Sequence, residues 1–425
     1  MASRWSIVAA LVAGCAPVAV AGPGPERIPS LEAALRTDPA STATRVQLGA
    51  AYEKNGDAAK AVATLEPALD VEPDNAPAAL VLGLAYEDLG RLSDARALYA
   101  RFLANSGGRL RSQVEDRLER VRRAELEAGV RTAIAEERTL AATPPEPLTA
   151  GVFPFLVEAT DTSLRPLGRA MAELLSTDLG ATDRLRVVER SRIQYLLDEI
   201  ELARSGYVQP ATAARAGHII GAANIVQGRL EGTQAELALQ AAVVPVDAPE
   251  RSTTTTPSRE TGPLDRVLDM EKSIALDVYG RLGIQLTTAE RERVEQRPTR
   301  SVQALLAFGF GLEAEDGGRY VLAVDAFTRA LSLDPGFELA RQHRDAVARL
   351  VGAANQSPGA LVDDLAIEFR LDASPLERLE ARLLGIEALI PDPQVRDASA
   401  EALGRESLVP ATVIRIIIRR PGGLD

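Results

Sequence analysis

Two stretches of the chain carry the same apolar rhythm. Leu48, Gly49, Tyr52, Gly56 and Ala61 recur 34 residues later as Leu82, Gly83, Tyr86, Gly90 and Ala95. Each matched pair is 34 residues apart, the signature of an internal repeat built from one supersecondary unit. Gly49 and Gly83 let two helices approach closely, Tyr52 and Tyr86 fill the gap, and Ala61 and Ala95 sit where only a small side chain packs. Pro73 follows the second helix and cannot continue it. Residues 30–39, "SLEAALRTDP", read as the second helix of a degenerate preceding unit. Far downstream, Gly311, Gly318, Ala323, Phe327, Ala330 and Pro335 reproduce the spacing of Gly49, Gly56, Ala61, Leu65, Ala68 and Pro73. Between these units, Leu110, Val114, Leu118, Val121, Val130 and Ile134 predict one long amphipathic helix over 108–141, its Arg and Glu residues forming a solvated face. "ATPPEP", 142–147, ends it.

The period and residue pattern resemble the tetratricopeptide repeat. Repeats are expected over 30–107, with a further unit over 300–352. The resemblance implies a concave face that binds peptides or proteins and includes Glu53, Lys54, Glu87 and Asp88. Alternatively, the repeats only support the middle of the chain or drive self-assembly.

From residue 149 the apolar period shortens. "TAGVFPF" reads as a buried strand closed by Pro154, and "SLRPLGRAMAELLSTDL" as a helix with Leu164, Leu167, Met171, Leu174, Leu175 and Leu179 on one face. In "RLRVVERSRIQYLLDEIEL", Leu185, Val187 and Val188 are strand-like. Ser191 and Gln194 then have capping-box spacing ahead of the stripe Ile193, Leu196, Leu197 and Ile200. A short helix leads to two antiparallel strands, a polar loop "APERSTTTTPSRETGP", and a closing amphipathic helix. This β-α-β-α-α-β-β-α order predicts an α+β or three-layer domain. The last residues, 360–425, with "LAIEFRL", a helix capped at Ser374 and Pro375, and "TVIRIIIRR", suggest a small β-α-β appendage whose final strand must pair to avoid an exposed edge.

The ordered set "FPF", "LGRAMAELLSTDL", "VVER", "LLDEIELARSG", "AARAGHIIGAANIVQGRLEG" and the closing helix to "LGI" resembles the CsgG-like family of curli secretion over 149–287, and also the N-terminal domain of TolB-type proteins. The resemblance implies a bacterial lipoprotein on the periplasmic side of the outer membrane. Pore-forming members insert long amphipathic hairpins, and a membrane strand needs about 9 to 11 alternating residues. No such pair lies between 149 and 287, so the fold is expected to carry over without the pore. The fold class expected is α+β: an N-terminal tetratricopeptide solenoid, a central CsgG-like three-layer α/β domain, a C-terminal repeat unit and a small α/β appendage.

Composition narrows the chemistry. A net charge of −12 argues against nucleic acid, which needs a concentrated basic face. One cysteine, Cys15, and two histidines, His218 and His343, permit no intrachain disulfide and no Cys/His metal cluster, and they remove the commonest general acid–base. No catalytic residue, cofactor or metal is expected. Residues 1–21 read as a secretory signal, followed by a Gly/Pro-rich tether over 22–29. "VAGC" resembles a lipobox ending at Cys15, which would carry the lipid; "AVA", Ala19–Ala21, suits ordinary cleavage instead. Glu189–Arg190 is either a tuned catalytic pair or a structural junction across a domain or subunit contact; the shortage of His and the absence of a second catalytic element favour an assembly junction. "HRD" at 343–345 lacks the surroundings of a kinase loop and is set aside. The function expected is that of a non-enzymatic periplasmic or outer-membrane scaffold lipoprotein, with envelope proteins or peptides as partners and the option of a homo-oligomer. The rival is a periplasmic small-ligand-binding or signalling accessory protein.

Overall fold

The structure is a computed structural model that describes residues 23–108, 110–159, 161–200, 208–251, 256–369 and 371. The segment expected to be a secretory signal, with Cys15, lies outside the described residues, as does the part of the expected 360–425 appendage beyond Leu371.

The first five helices are α1 (Ile28–Thr37), α2 (Thr42–Lys54), α3 (Ala58–Val71), α4 (Ala76–Asp88) and α5 (Leu92–Asn105). They stack as antiparallel pairs because their apolar faces have no other means of burial. Gly83 makes a close approach: a methyl there would meet the Tyr99 ring at 2.6 Å, where α4 crosses α5. The two repeat tyrosines take matching partners. Tyr52 donates its hydroxyl to Glu32 at 2.6 Å and Tyr86 to Glu66 at 2.5 Å, so the degenerate unit before the first repeat is built on the same contact.

A single helix, α6 (Leu110–Ala135), follows, and the short α7 (Glu137–Leu140) ends it. The apolar stripe of α6 is buried as expected, but its charged positions are not all solvated: Arg117 is fully buried and Arg123 largely so. The reason is position. α6 packs on α5 with one face, and on α9 (Arg190–Glu199), α10 (Pro210–Ile220) and α15 (Glu338–Ala354) with others, so the arginines on those faces are buried while Arg111, Arg122 and Arg131 remain exposed.

The central domain is a mixed sheet in the order β3-β1-β4-β5-β6, with helices on both faces. Its strands are β1 (Thr149–Val152), β2 (Leu156–Ala159), β3 (Arg186–Val187), β4 (Asn224–Gly232), β5 (Leu237–Pro245) and β6 (Ser258–Gly262). Pro154 interrupts the first strand instead of closing it. β1 pairs with the first half of β4 and β2 with the second half, and four steps from Val152 to Leu156 face three from Val226 to Arg229. The extra residue is a bulge at the proline, which has no N–H to give the ladder; Phe155 N–H turns instead to Gly168 O at 3.0 Å. The segment read as a polar loop ends in β6, which pairs antiparallel with β5 and forms a sheet edge. Polar side chains hid it, since an edge strand with one wet face needs few apolar residues.

β4 is central, and its alternate residues feed two cores. Val226 and Leu230 face α8 (Leu167–Leu179) and α11 (Val267–Arg281); Ile225 faces α9 and α10. The α8 side runs without a break into the C-terminal repeat. After α12 (Thr288–Glu295), α13 (Val302–Asp316) and α14 (Tyr320–Leu333) form the third repeat pair and α15 packs on it. α13 presses on α8 at Gly309, where a methyl would sit 2.1 Å from Pro166 O. "LAIEFRL", expected as a strand, is instead the end of α16 (Pro358–Phe369) and the residues just after it. The hydrophobic residues Leu361, Val362, Leu365 and Ala366 follow a helical period and are buried among the N-terminal repeats. Among the described residues no helix is long and apolar enough to cross a membrane.

Candidate functional site

Seven charged side chains from five helices converge where the central domain meets α6 and the C-terminal repeat. Arg190 is the hub. It opens α9, a poor place for a cation because the helix dipole is positive there, and its guanidinium turns away to meet three acids. Nε lies 3.1 Å from Glu173 of α8, Nη2 lies 2.8 Å from Glu315 of α13, and Nη1 bonds to Asp316. Arg169 holds Asp316 from the other side at 2.7 Å, and Arg123 of α6 reaches Glu315 at 2.9 Å. His343 of α15 lies between two acids: Nε2 is 3.3 Å from Glu173 and Nδ1 is 3.2 Å from Glu315. The ring packs edge-to-face with Phe308 and tilted against Phe327, with centroids 5.4 and 5.5 Å away.

The electrostatics follow from this crowding. Burial alone would discharge His343, but hydrogen bonds and charge from Glu173 and Glu315 outweigh it and raise the imidazole to about 9. Burial pushes Glu315 up, yet Arg190, His343 and Arg123 bring it down to about 2. Glu173 is also held below the ordinary range, its burial outweighed by His343 and Arg190. Arg190 is raised, with Asp316, Glu315 and Glu173 together overcoming its desolvation. A histidine with this pKa is an imidazolium at neutral pH and cannot serve as a base there. The cluster is an electrostatic clamp.

Beside it opens a cavity of about 710 Å³, walled by α6 and the start of α9. Arg122, Arg123, Glu189, Arg190, Arg192 and His343 are among its lining residues.

Two stretches of the chain match family models. Residues 132–236 match the family described as curli production assembly/transport component CsgG, and residues 46–109 match a tetratricopeptide repeat. The chain carries a CsgG-type domain and tetratricopeptide repeats. A solved tetratricopeptide repeat protein from Parabacteroides merdae is similar at 14% identity, over 76% of this chain and 91% of that one, with a TM-score of 0.22, a superposition too loose to carry structural detail across. No curated protein matches the chain.

The CsgG-type domain thus contributes Glu173 and Arg190 to the clamp, and the C-terminal repeat contributes Glu315, Asp316 and His343. Glu189 does not pair with Arg190. It is exposed, caps α9 through its backbone only, and accepts a 2.7 Å hydrogen bond from the Ser191 hydroxyl. The expected Ser191–Gln194 capping box is absent for this reason, and Gln194 donates to Asp198 at 2.9 Å instead. His218 is half-buried and far less engaged; its Nδ1 has no hydrogen-bond partner among the described residues.

The four repeat residues expected on a partner-binding face are not equally available. Glu53 is 4% exposed and the Glu87 side chain 8%, Lys54 is paired with Asp363 at 2.6 Å, and only Asp88 is exposed. The chain's own α6 and α16 cover the face. Glu87 receives Arg117 at 3.1 Å, Arg120, and the Tyr99 hydroxyl at 2.7 Å.

Glu173, Glu315, Asp316, Arg123 and Arg169 escaped the sequence reading. For Glu315 a signal existed. It stands four residues after Gly311, as Glu53 follows Gly49 and Glu87 follows Gly83, so the repeat alignment already gave it a structural address. Arg117, Arg120 and Arg123 share three-residue spacing on α6; the first two take Glu87 and the third takes Glu315. One helix therefore holds equivalent acids from both halves of the repeat array. A second buried cluster ties α8 to α11 within the CsgG-type domain, with Lys272 Nζ 2.6 Å from Asp178 and 3.2 Å from Glu271.

Proposed function

We propose that the protein is a non-enzymatic scaffold of the cell envelope that joins partner proteins in a transport or surface-structure assembly system. The supporting observation is the use of α6 as a shared spine. Its arginines bind Glu87 of the N-terminal repeats and Glu315 of the C-terminal repeat, and its far end packs on the CsgG-type domain. Modules that bind independently need only linkers; a rigid array that fixes their angles suits assembly. Arg190, saturated by three acids, and His343, held charged, favour holding over chemistry.

In this reading the protein is periplasmic and anchored to the outer membrane through a lipid on Cys15. Labelling with palmitate tests the anchor: label on the wild type and none on Cys15→Ser is expected, and an unlabelled wild type refutes it. Glu189, exposed at the cavity mouth, is assigned to contacts between copies. Native mass spectrometry of Glu189→Ala should show a changed oligomer size, and an unchanged size removes that role. The main test is cross-linking and capture from envelope extracts, in which defined envelope proteins are expected to co-purify; their absence overturns the scaffold reading.

The cavity of about 710 Å³ favours a second reading, in which the CsgG-type domain binds a small ligand beside the clamp. A monomer whose melting temperature rises with a metabolite would support it over the scaffold.

A further inference from the structure

The groove of the N-terminal repeats is already filled. α16 crosses α2, α4 and α6, the helices that line the inner face of the array, and contacts each of them. Its stripe of Leu361, Val362, Leu365 and Ala366 is almost completely buried, while Ile367 on its outer side is 49% exposed. The rim contacts are polar and complementary. Lys54 meets Asp363 at 2.6 Å, Gln113 donates to Asp364 at 3.0 Å, the Leu110 backbone N–H donates to Glu368 at 3.3 Å, and Gln47 donates to the Leu371 carbonyl.

We propose that this groove is a receptor for an acidic amphipathic helix, and that α16 is its displaceable resident occupant. The partner it fits is a helix from another protein with apolar residues at i, i+1, i+4 and i+5 and acids at i+2 and i+3, the pattern of Leu361, Val362, Asp363, Asp364, Leu365 and Ala366. This rests on the reading of the repeats as interaction modules.

Three features support exchange. A helix of 12 residues is too short to hold its shape alone in water, so α16 is helical only while docked and folds as it binds. Three residues, Asn355–Ser357, connect it to α15, and Gln356 among them is tied to α6 by Arg117 at 3.2 Å and Asp116 at 3.1 Å, so α16 can leave about a fixed point while α15 stays in place. Tethering in one chain gives it a high effective concentration, which keeps it in place against weak competitors and yields to a tighter one. The resident thereby sets an affinity threshold for the partner.

The test uses a fluorescein-labelled peptide of residues 357–371 titrated into the full chain by anisotropy. In Leu365→Asp the resident helix carries a charge that the groove rejects, so this variant should bind the peptide at least ten-fold more tightly than the wild type. Adding Lys54→Glu should weaken that binding, and a peptide carrying Asp363→Lys should restore it. A Leu365→Asp protein that keeps wild-type far-ultraviolet circular dichroism but binds no peptide overturns the proposal. If Leu365→Asp loses helicity, hydrogen exchange of the wild type decides. Amides of 359–369 that exchange at least ten-fold faster than those of 76–88 support a displaceable helix; equal rates make α16 part of the repeat core and overturn it. A wild-type dimer abolished by Leu365→Asp would assign the groove to a second copy and overturn the external partner. Peptide binding without envelope capture would retain the groove and remove only its envelope setting.

Discussion

Glu53, Glu87 and Glu315 occupy one position of a repeating unit, yet the N-terminal and C-terminal parts of the array treat them differently. In the C-terminal repeat, Glu315 is surrounded by Arg190, Arg123 and His343 and is driven down to about 2. In the N-terminal pair, Glu87 has Arg117 and Arg120, whereas both Glu53 carboxylate oxygens are buried and accept no hydrogen bond among the described residues. Burial, reinforced by Asp88 and then opposed by Arg117, with Glu87 adding to the rise, lifts Glu53 to about 7. The same residue at the same repeat position is thus a fastener in one place and a liability in another. What differs is the neighbouring helix: α6 brings arginines to Glu87 and to Glu315.

Breaking the clamp should have the largest effect. Arg190→Ala leaves Glu173, Glu315 and Asp316 crowded without their common cation, and should cost about 3–5 kcal/mol in chemical denaturation. Arg190→Lys should recover only part of this, because an ammonium cannot span three acids. Next comes the equivalent pair. Glu315→Gln is expected to cost about 3 kcal/mol and Glu87→Gln about 2 kcal/mol: Glu315 leaves Arg190, Arg123 and His343 behind, whereas Glu87 leaves the buried Arg117 together with Arg120, which is partly exposed and can return to water. Equal losses would show that the two junctions are energetically alike.

Glu53→Gln should act in the opposite direction. A carboxyl whose folded pKa lies above its unfolded value of 4.5 keeps its proton in the native state, so stability falls as pH rises from there through about 7. The amide removes that penalty. Melting curves should show no change at pH 4 and a gain on the order of 2 kcal/mol at pH 8; a loss at pH 8 would mean Glu53 is held by a cation after all. His343 acts on the alkaline side of neutrality. Its stabilisation is complete below about 6.5 and is lost as pH rises through about 9, so His343→Gln should flatten the alkaline limb of the stability curve. Glu315 governs the acid limb, with its contribution present above 4.5 and lost as pH falls towards 2. The smallest effect belongs to Lys54→Ala. Its partner Asp363 is about a third exposed, and the loss should stay below about 1 kcal/mol.

Much of the fold was legible because local periodicity reports burial. The 34-residue repeat, the stripe of α6, and the α8 and α9 faces are all patterns that a helix imposes on its own sequence. The misses share a cause. β6 is an edge strand with polar residues, the extension of β1 into β2 passes through a proline that normally ends strands, and "LAIEFRL" has the β-branched Ile367 and the aromatic Phe369 that suggest a strand while its neighbours set a helical period. In each case a distant contact outweighed the local preference.

The candidate site was legible only in fragments. Arg190 was singled out as part of a junction across a domain or subunit contact, but its partners were not named, because Glu173, Glu315 and Asp316 are adjacent to it only in space. His343 was noticed within "HRD" and set aside as a motif, and its role lies in the two carboxylates that flank it. Sequence by itself determined the repeats, the helical spine and the strand–helix order, since these follow from where apolar side chains fall on a helix or strand. Tertiary structure decided which acid met which arginine and which face stayed open. The energy of a buried charge depends on neighbours within a few ångströms, and chain order does not specify them.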